Sequence, residues 1–221
     1  MEIAIFIAIA VLIIAFAVWG HIQEKQRSED LARFASAQGW HFSREKERGL
    51  AELFYKVSTF NTGHSRYAWN VMRGNFSNES VEVFDYHYAI TTSNGKSSST
   101  KHYYYSCYVV RLPKSFGWLN VEHEGFMSKL AQAFGYDDID FESAEFSKKY
   151  CVRAQDKKFA YGILHSQMME YLLARPGMYF YISGDRLMTY FSGKLSPEVI
   201  MSRLKYLIDI RLHFPEYLLS R

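Results

Sequence analysis

The chain has 221 residues, with 26 Lys and Arg against 23 Asp and Glu and a formal charge of +3. So small a surplus excludes a nucleic-acid binder built on a basic face, although it suits an anionic membrane leaflet. Seventeen Tyr, 17 Phe and 4 Trp supply a large core and exclude a disordered chain, which needs few aromatics and a high net charge.

Ile3 to Trp19 reads IAIFIAIAVLIIAFAVW, without a charge or a proline. At about 1.5 Å per residue such a run covers ~25 Å, close to the hydrocarbon thickness of a bilayer. A core helix of a soluble protein would show a polar stripe, and this one has none. The start Met1-Glu2 lacks the cationic residues of a secretory signal, and Val18-Trp19-Gly20 offers a bulky residue where cleavage needs a small one. The expectation is therefore an uncleaved single-pass anchor over residues 1–20, in the lipid bilayer through residues 3–19, with Trp19 at the interface. Lys25, Arg27 and Arg33 follow it, and the positive-inside rule places residues 21 onward on the cytoplasmic face of the cell membrane.

A juxtamembrane segment, 21–39, is predicted to hold a short helix from Ser28 to Gln38. Ser28 would cap it, Glu29 and Asp30 suit its positive end, and Gly39 would close it. Residues 40–221 form the soluble domain. Trp40 to Ser43 reads as a strand and residues 50–57 as a helix. Ala68–Arg73, Val81–Ile90 and His102–Leu112 are rich in Val, Tyr and Phe and read as strands. Thr91 to Thr100, with its Asn94-Gly95 turn dipeptide, reads as the long tip of an antiparallel hairpin. His102–Leu112 is apolar or aromatic at both alternating sets, as expected of a central strand covered on both sides, with Pro113 ending it.

Trp118–Val121 reads as a further strand. Phe126, Leu130 and Phe134 recur every four residues before Gly135 and predict a helix over 124–134. Phe159–Ala174 reads as one helix stopped by Arg175-Pro176-Gly177. Met178–Ser183 and Arg186–Phe191 flank Gly184-Asp185, the pattern of a two-residue hairpin. Ser196 and Pro197 open the last helix, with Leu195 able to staple to Ile200. Antiparallel strands interleaved with helices, without regular βαβ alternation, define an α+β fold.

Five carboxylates fall between Asp137 and Glu145. Extended, this stretch puts Asp138, Asp140 and Glu142 on one side and Ile139 and Phe141 on the other. Oxygen-rich clusters suit hard cations, but the EF-hand spacing is absent and a solvated acidic edge is the favoured reading of the pattern. His87 and His102 fall on strands predicted to pair, and two His with a carboxylate can hold zinc or exchange protons. Asp138, Asp140, Glu142, His87 and His102 are thus the candidate metal ligands. Cys107 and Cys151 lack CxxC or Cys/His zinc spacing and read as buried small hydrophobes. No P-loop, G-x-G-x-x-G or G-x-S-x-G occurs, and no cofactor or catalytic residue is assigned.

The run DIDFESAEFSKKYCVRAQDKKFAYGILHSQMMEYLL, Asp138 to Leu173, resembles a motif shared by uncharacterised bacterial membrane-anchored proteins. The resemblance extends to the apolar start and the aromatic hairpin, and implies a bacterial membrane-anchored protein without bringing an activity. Two functions fit these readings. One is a non-catalytic interaction or ligand-binding module with a protein partner at the membrane. The other is a metal-dependent enzyme joining the 137–145 segment to the strand histidines.

Overall fold

The structure is a computed structural model that describes residues 2–123 and 138–219. It opens with helix α1, Glu2–Ala37, which runs without interruption from the apolar stretch into the domain. Its first half is long and apolar enough to cross a membrane, with a mean hydropathy of 2.6 over an 18-residue window that is not buried by the rest of the chain. The predicted separate helix starting at Ser28 is corrected here. Ser28 is a mid-helix residue whose hydroxyl bonds Asn70 on the sheet at 2.9 Å, so it has no free helix end to cap. Gly39 does close the helix, at φ +69°.

Among the described residues six antiparallel strands follow: β1 His41–Ser43, β2 His64–Phe76, β3 Glu79–Ser93, β4 Ser98–His123, β5 Tyr150–Ala154 and β6 Phe180–Ser192. The order β1-β2-β3-β4-β5 is completed by β6, which pairs with β4. The long strand β4 organises the sheet. Its residues 98–110 pair with β3, 119–123 with β5, and 105–121 with β6.

Three sequence expectations fail along this strand, for related reasons. Pro113 does not end β4, because it lies in an irregular stretch between Arg111 and Phe116 where the register to β6 slips. There its missing N–H removes no ladder bond. Gly184-Asp185 does not turn a hairpin either. Gly184, at φ +60°, is the matching irregularity inside the continuous strand β6, opposite Phe116. Side-chain parity shows what these bulges do. On β4 the same core takes Tyr108, Val110 and Leu112, then Leu119 and Val121; on β6 it takes Phe180 and Ile182, then Leu187. Even positions give way to odd ones on both strands, so each bulge restores the inward face after a slip in register. The hairpin tip is also tighter than predicted. Thr91, Thr92 and Ser93 pair with Thr100, Ser99 and Ser98, leaving Asn94–Ser97 as the turn.

The expected central strand holds. One core includes Tyr108 and Val110, and the other, on the opposite face, Cys107 and Val109. Both cysteines are free and buried. The first core receives Leu31 and Ala35 of α1 and the helices α3 Ala144–Lys149, α4 Lys157–Ile163, α5 Ser166–Leu173 and α6 Pro197–Leu212. The second lies under α2, Gly49–Glu52, and the 3-10 turn Ser58–Phe60, and is rich in tyrosine: Tyr86, Tyr88, Tyr179, Tyr181 and Tyr190. A last short helix, α7 Glu216–Leu219, follows α6.

The single helix expected over Phe159–Ala174 is two. Leu164 leaves helical geometry at ψ 52°, and the His165 Nε2 donates to the His213 carbonyl at 2.9 Å, which turns the chain between α4 and α5. Pro197 opens α6 as expected, but the Ser196 hydroxyl bonds the Glu198 carboxylate instead of a backbone N–H. The helix predicted over 124–134 lies outside the described residues.

Candidate functional site

Among the described residues, the most deeply buried charge lies where α1 meets the sheet. Asp85, on β3, has no exposed surface. Its Oδ2 accepts from Arg27 Nη2 at 2.8 Å and from Asn70 Nδ2 at 2.9 Å, and its Oδ1 accepts from the Leu195 backbone N–H at 2.7 Å. Four elements or loops therefore converge on one carboxylate. Burial pushes the Asp85 carboxyl above the ordinary range, with Arg27, Asn70 and the Leu195 N–H pulling against it. Arg27 also donates to Glu24 at 2.6 Å and to the Leu195 carbonyl at 3.1 Å, and Lys194 reaches Glu24 at 2.7 Å. Burial alone would raise Glu24; hydrogen bonds from Arg27 and Lys194 outweigh it and hold its carboxyl at about 2. Ser28 and Asn70 complete the junction.

Beside it lies a histidine–aromatic patch on the same face of the sheet. His87 and His102 come together as expected, with His87 Nε2 2.9 Å from His102 Nδ1. His87 Nδ1 faces the Ser65 carbonyl at 3.0 Å, which can only accept, so this nitrogen carries a proton. In neutral His87 the Nε2 then accepts from His102 Nδ1–H. Burial depresses the His87 pKa below 6.5, opposed by the Ser65 bond and aided by the neighbouring His102. Tyr67 and Tyr104 flank His87 at ring-centroid distances of 4.8 and 5.1 Å, and Trp69 meets Tyr104 edge-on. Lys46 sits over Tyr67 and Lys194 over Tyr104. Lys194 thereby links the patch to the Glu24–Arg27–Asp85 junction.

The acidic segment is elsewhere. Asp138 Oδ1 accepts from the Ile139 and Val152 N–H groups at 3.0 and 2.7 Å, tying the segment to β5. Asp140 and Glu142 are exposed, Ile139 is buried, and Phe141 is partly buried. Ser143 caps α3 through the Phe146 N–H. Asp137 lies outside the described residues. Val152 pairs with Val121, nineteen residues along β4 from His102, so the carboxylates and the histidine pair sit at opposite ends of that strand. Among the described residues no group of three His, Cys, Asp or Glu side chains is placed to hold a metal ion. His123, on the far end of β4, accepts from the Gly177 N–H at 3.0 Å.

Sequence reasoning finds the histidine pair and misses Asp85, Arg27 and Asn70 as a unit. The signal is present in Val81-Glu82-Val83-Phe84-Asp85-Tyr86-His87-Tyr88, where two carboxylates, Glu82 and Asp85, interrupt a strand otherwise apolar or aromatic on both faces. A charge there must find a partner, and only the tertiary structure shows that α1 brings it.

No model of a known protein family matches the chain, and no curated protein matches it. Among solved structures it is similar to the crystal structure of the mycobacterial trehalose monomycolate transport factor A, TtfA. That likeness has a TM-score of 0.57 at 11% identity and covers 86% of this chain and 96% of the other. At that identity the likeness is one of fold: an antiparallel sheet packed with helices.

Removing Arg27 leaves the Asp85 carboxylate buried without its cation. Arg27→Met is expected to lower stability to urea by about 3 kcal/mol. The double variant Arg27→Met/Asp85→Asn should cost less than Arg27→Met alone, because the carbonyl of the introduced amide keeps the Leu195 bond and no charge remains. Unfolding of the full chain in detergent measures both, and a double variant no better than the single would contradict the pairing.

Acid should weaken the histidine patch. Because the folded state holds His87 below its ordinary 6.5, the unfolded chain takes up the proton first as pH falls. This contribution to stability is complete above pH 6.5 and is lost as pH drops from there toward the folded value. His123, also depressed by burial, acts in the same direction. The urea midpoint should fall between pH 7 and 5, and less steeply in His87→Gln; equal slopes would contradict the assignment.

Proposed function

We propose that the protein is a membrane-anchored, non-catalytic interaction module whose sheet is held at the cytoplasmic surface of a bacterial membrane to engage a protein partner. The observation that carries this reading is the continuity of α1. One helix joins a span-length apolar stretch to the domain core, and Arg27–Asp85 fixes its angle to the sheet. A chain built to position a surface gains from such a joint, whereas a flexible tether would leave the domain free to reorient. The patch around Tyr104 and Trp69 is the presented surface: aromatic, flanked by lysines and half-exposed. The cytoplasmic side follows from Lys25, Arg27 and Arg33 after the apolar stretch. The fold neighbour is named a transport factor, and an accessory role beside a membrane transport system is a form this module can take.

A metal-dependent enzyme is favoured by one observation, the 2.9 Å contact of His87 and His102. It needs a third ligand from outside the pair, since the 137–145 segment is remote along β4.

The two readings separate in one experiment. A photo-cross-linking residue in place of Tyr104, in native membranes, should trap one discrete membrane protein at high yield. The same residue in place of Lys148, at the other end of the sheet, should not. A blank result at Tyr104, combined with a rise in melting temperature with Zn²⁺ or Mn²⁺ that disappears in His87→Ala, would favour the enzyme instead.

A further inference from the structure

We propose that the free end of the β3–β4 ribbon, Ile90 to Lys101, docks on the headgroup surface of an anionic bilayer, giving the domain a second membrane contact besides α1. The inference rests on the membrane-anchored reading above.

Direction comes first. Trp40, just past α1, donates its indole N–H to the Asn75 carbonyl. Moving back along the chain, Ser28 meets Asn70, Arg27 meets Asp85, and Glu24 meets Lys194, which lies over Tyr104. Each step toward the apolar half of α1 is a step toward the β3–β4 turn. The ribbon therefore extends to the side from which the apolar stretch comes.

Reach is sufficient. From Arg27 back to Gly20 α1 rises about 10 Å. From Asp85 to Ser93 β3 advances about 27 Å. Even splayed by about 60° from the helix, the ribbon would advance ~13 Å and still reach the level where the apolar stretch ends. The ribbon also stands clear of the sheet. Pairing of β2 with β3 ends at His64–Ala89, and pairing of β6 with β4 ends at Tyr105–Ser192, whereas β3 and β4 stay paired to Ser93–Ser98.

Charge and side-chain type select the occupant. No Asp or Glu occurs from Tyr86 through Val121, or from Leu53 through Asn78. The exposed ribbon carries Lys96 and Lys101, with His64, Arg66 and His102 exposed at its base. Threonines, serines, Asn94 and Gly95 fill the rest of the tip, and Tyr103 and Tyr104 flank its base, the composition of a surface that meets lipid headgroups. A hydrophobic protein groove would find no apolar side chain between Thr91 and Lys101 to bury.

The test uses the full chain in vesicles. Because Cys107 and Cys151 are buried, a fluorophore can be placed selectively at Ser97→Cys, or at Lys148→Cys as a control. In phosphatidylcholine vesicles containing phosphatidylglycerol and a headgroup-labelled quencher lipid, the Ser97 label should be quenched and the Lys148 label should not. The quenching should disappear in phosphatidylcholine alone. In Lys96→Glu/Lys101→Glu the docked-to-free ratio should fall at least about 30-fold, from roughly 1 kcal/mol for each cation removed at an anionic surface, with repulsion of the two new carboxylates adding to the loss. A Ser97 label as unquenched as the control, or quenching indifferent to lipid charge and to charge reversal, would overturn the proposal. An alkaline wash separates the two levels of failure. A chain that washes off overturns the anchor reading and this one together, whereas a chain that stays with an unquenched tip overturns only the docking.

Discussion

Putting a carboxylate out of reach of water costs far more than the marginal stability of a domain unless a cation and hydrogen bonds meet it there. Asp85 is such a carboxylate, and what meets it comes from three separate parts of the chain: Arg27 from α1, Asn70 from β2, and the Leu195 N–H from the loop before α6. The constraint is geometric as much as energetic. Arg27 can satisfy Asp85 only if α1 lies at one height and one rotation over β3, which in turn sets Leu31 and Ala35 into the core and Ser28 opposite Asn70. The sheet is thereby tied to the helix that carries the apolar stretch.

Everything proposed about function depends on that tie. If α1 and the sheet are one rigid unit, the histidine–aromatic patch and the β3–β4 ribbon keep fixed positions relative to the apolar stretch. Lys194 shows how closely these parts are joined, since its ammonium group reaches Glu24 of α1 and the face of Tyr104 together. His87 is the register partner of Tyr104, and burial lowers its pKa, so a change in acidity is felt directly beside the junction.

Much of the fold is legible in the sequence because it rests on local patterns. The apolar run, the alternating strands 81–90 and 102–112, the doubly covered central strand and the Pro197 start of α6 each carry their own signal. The failures occur where local and tertiary signals disagree. Ser28, Glu29 and Asp30 look like a helix start, but a helix already under way from Glu2 continues through them. Gly184-Asp185 looks like a tight turn, yet β4 offers an unbroken partner to both flanks, and a left-handed glycine serves a bulge as well as a turn. Of the candidate site, the proximity of His87 and His102 is readable from strand pairing. The Asp85 junction is not, because its partners lie 58, 15 and 110 residues away in sequence.

The central claim is that α1 and the sheet form one rigid body through the Arg27–Asp85 contact. Pulsed electron-spin distance measurement on the full chain in lipid nanodiscs tests it directly, with nitroxides at Gln23→Cys on α1 and Thr92→Cys on β3. The account predicts a single narrow distance distribution that broadens in Arg27→Met. A broad distribution in the unaltered junction, unchanged by Arg27→Met, would show that the helix is only a tether and would contradict it.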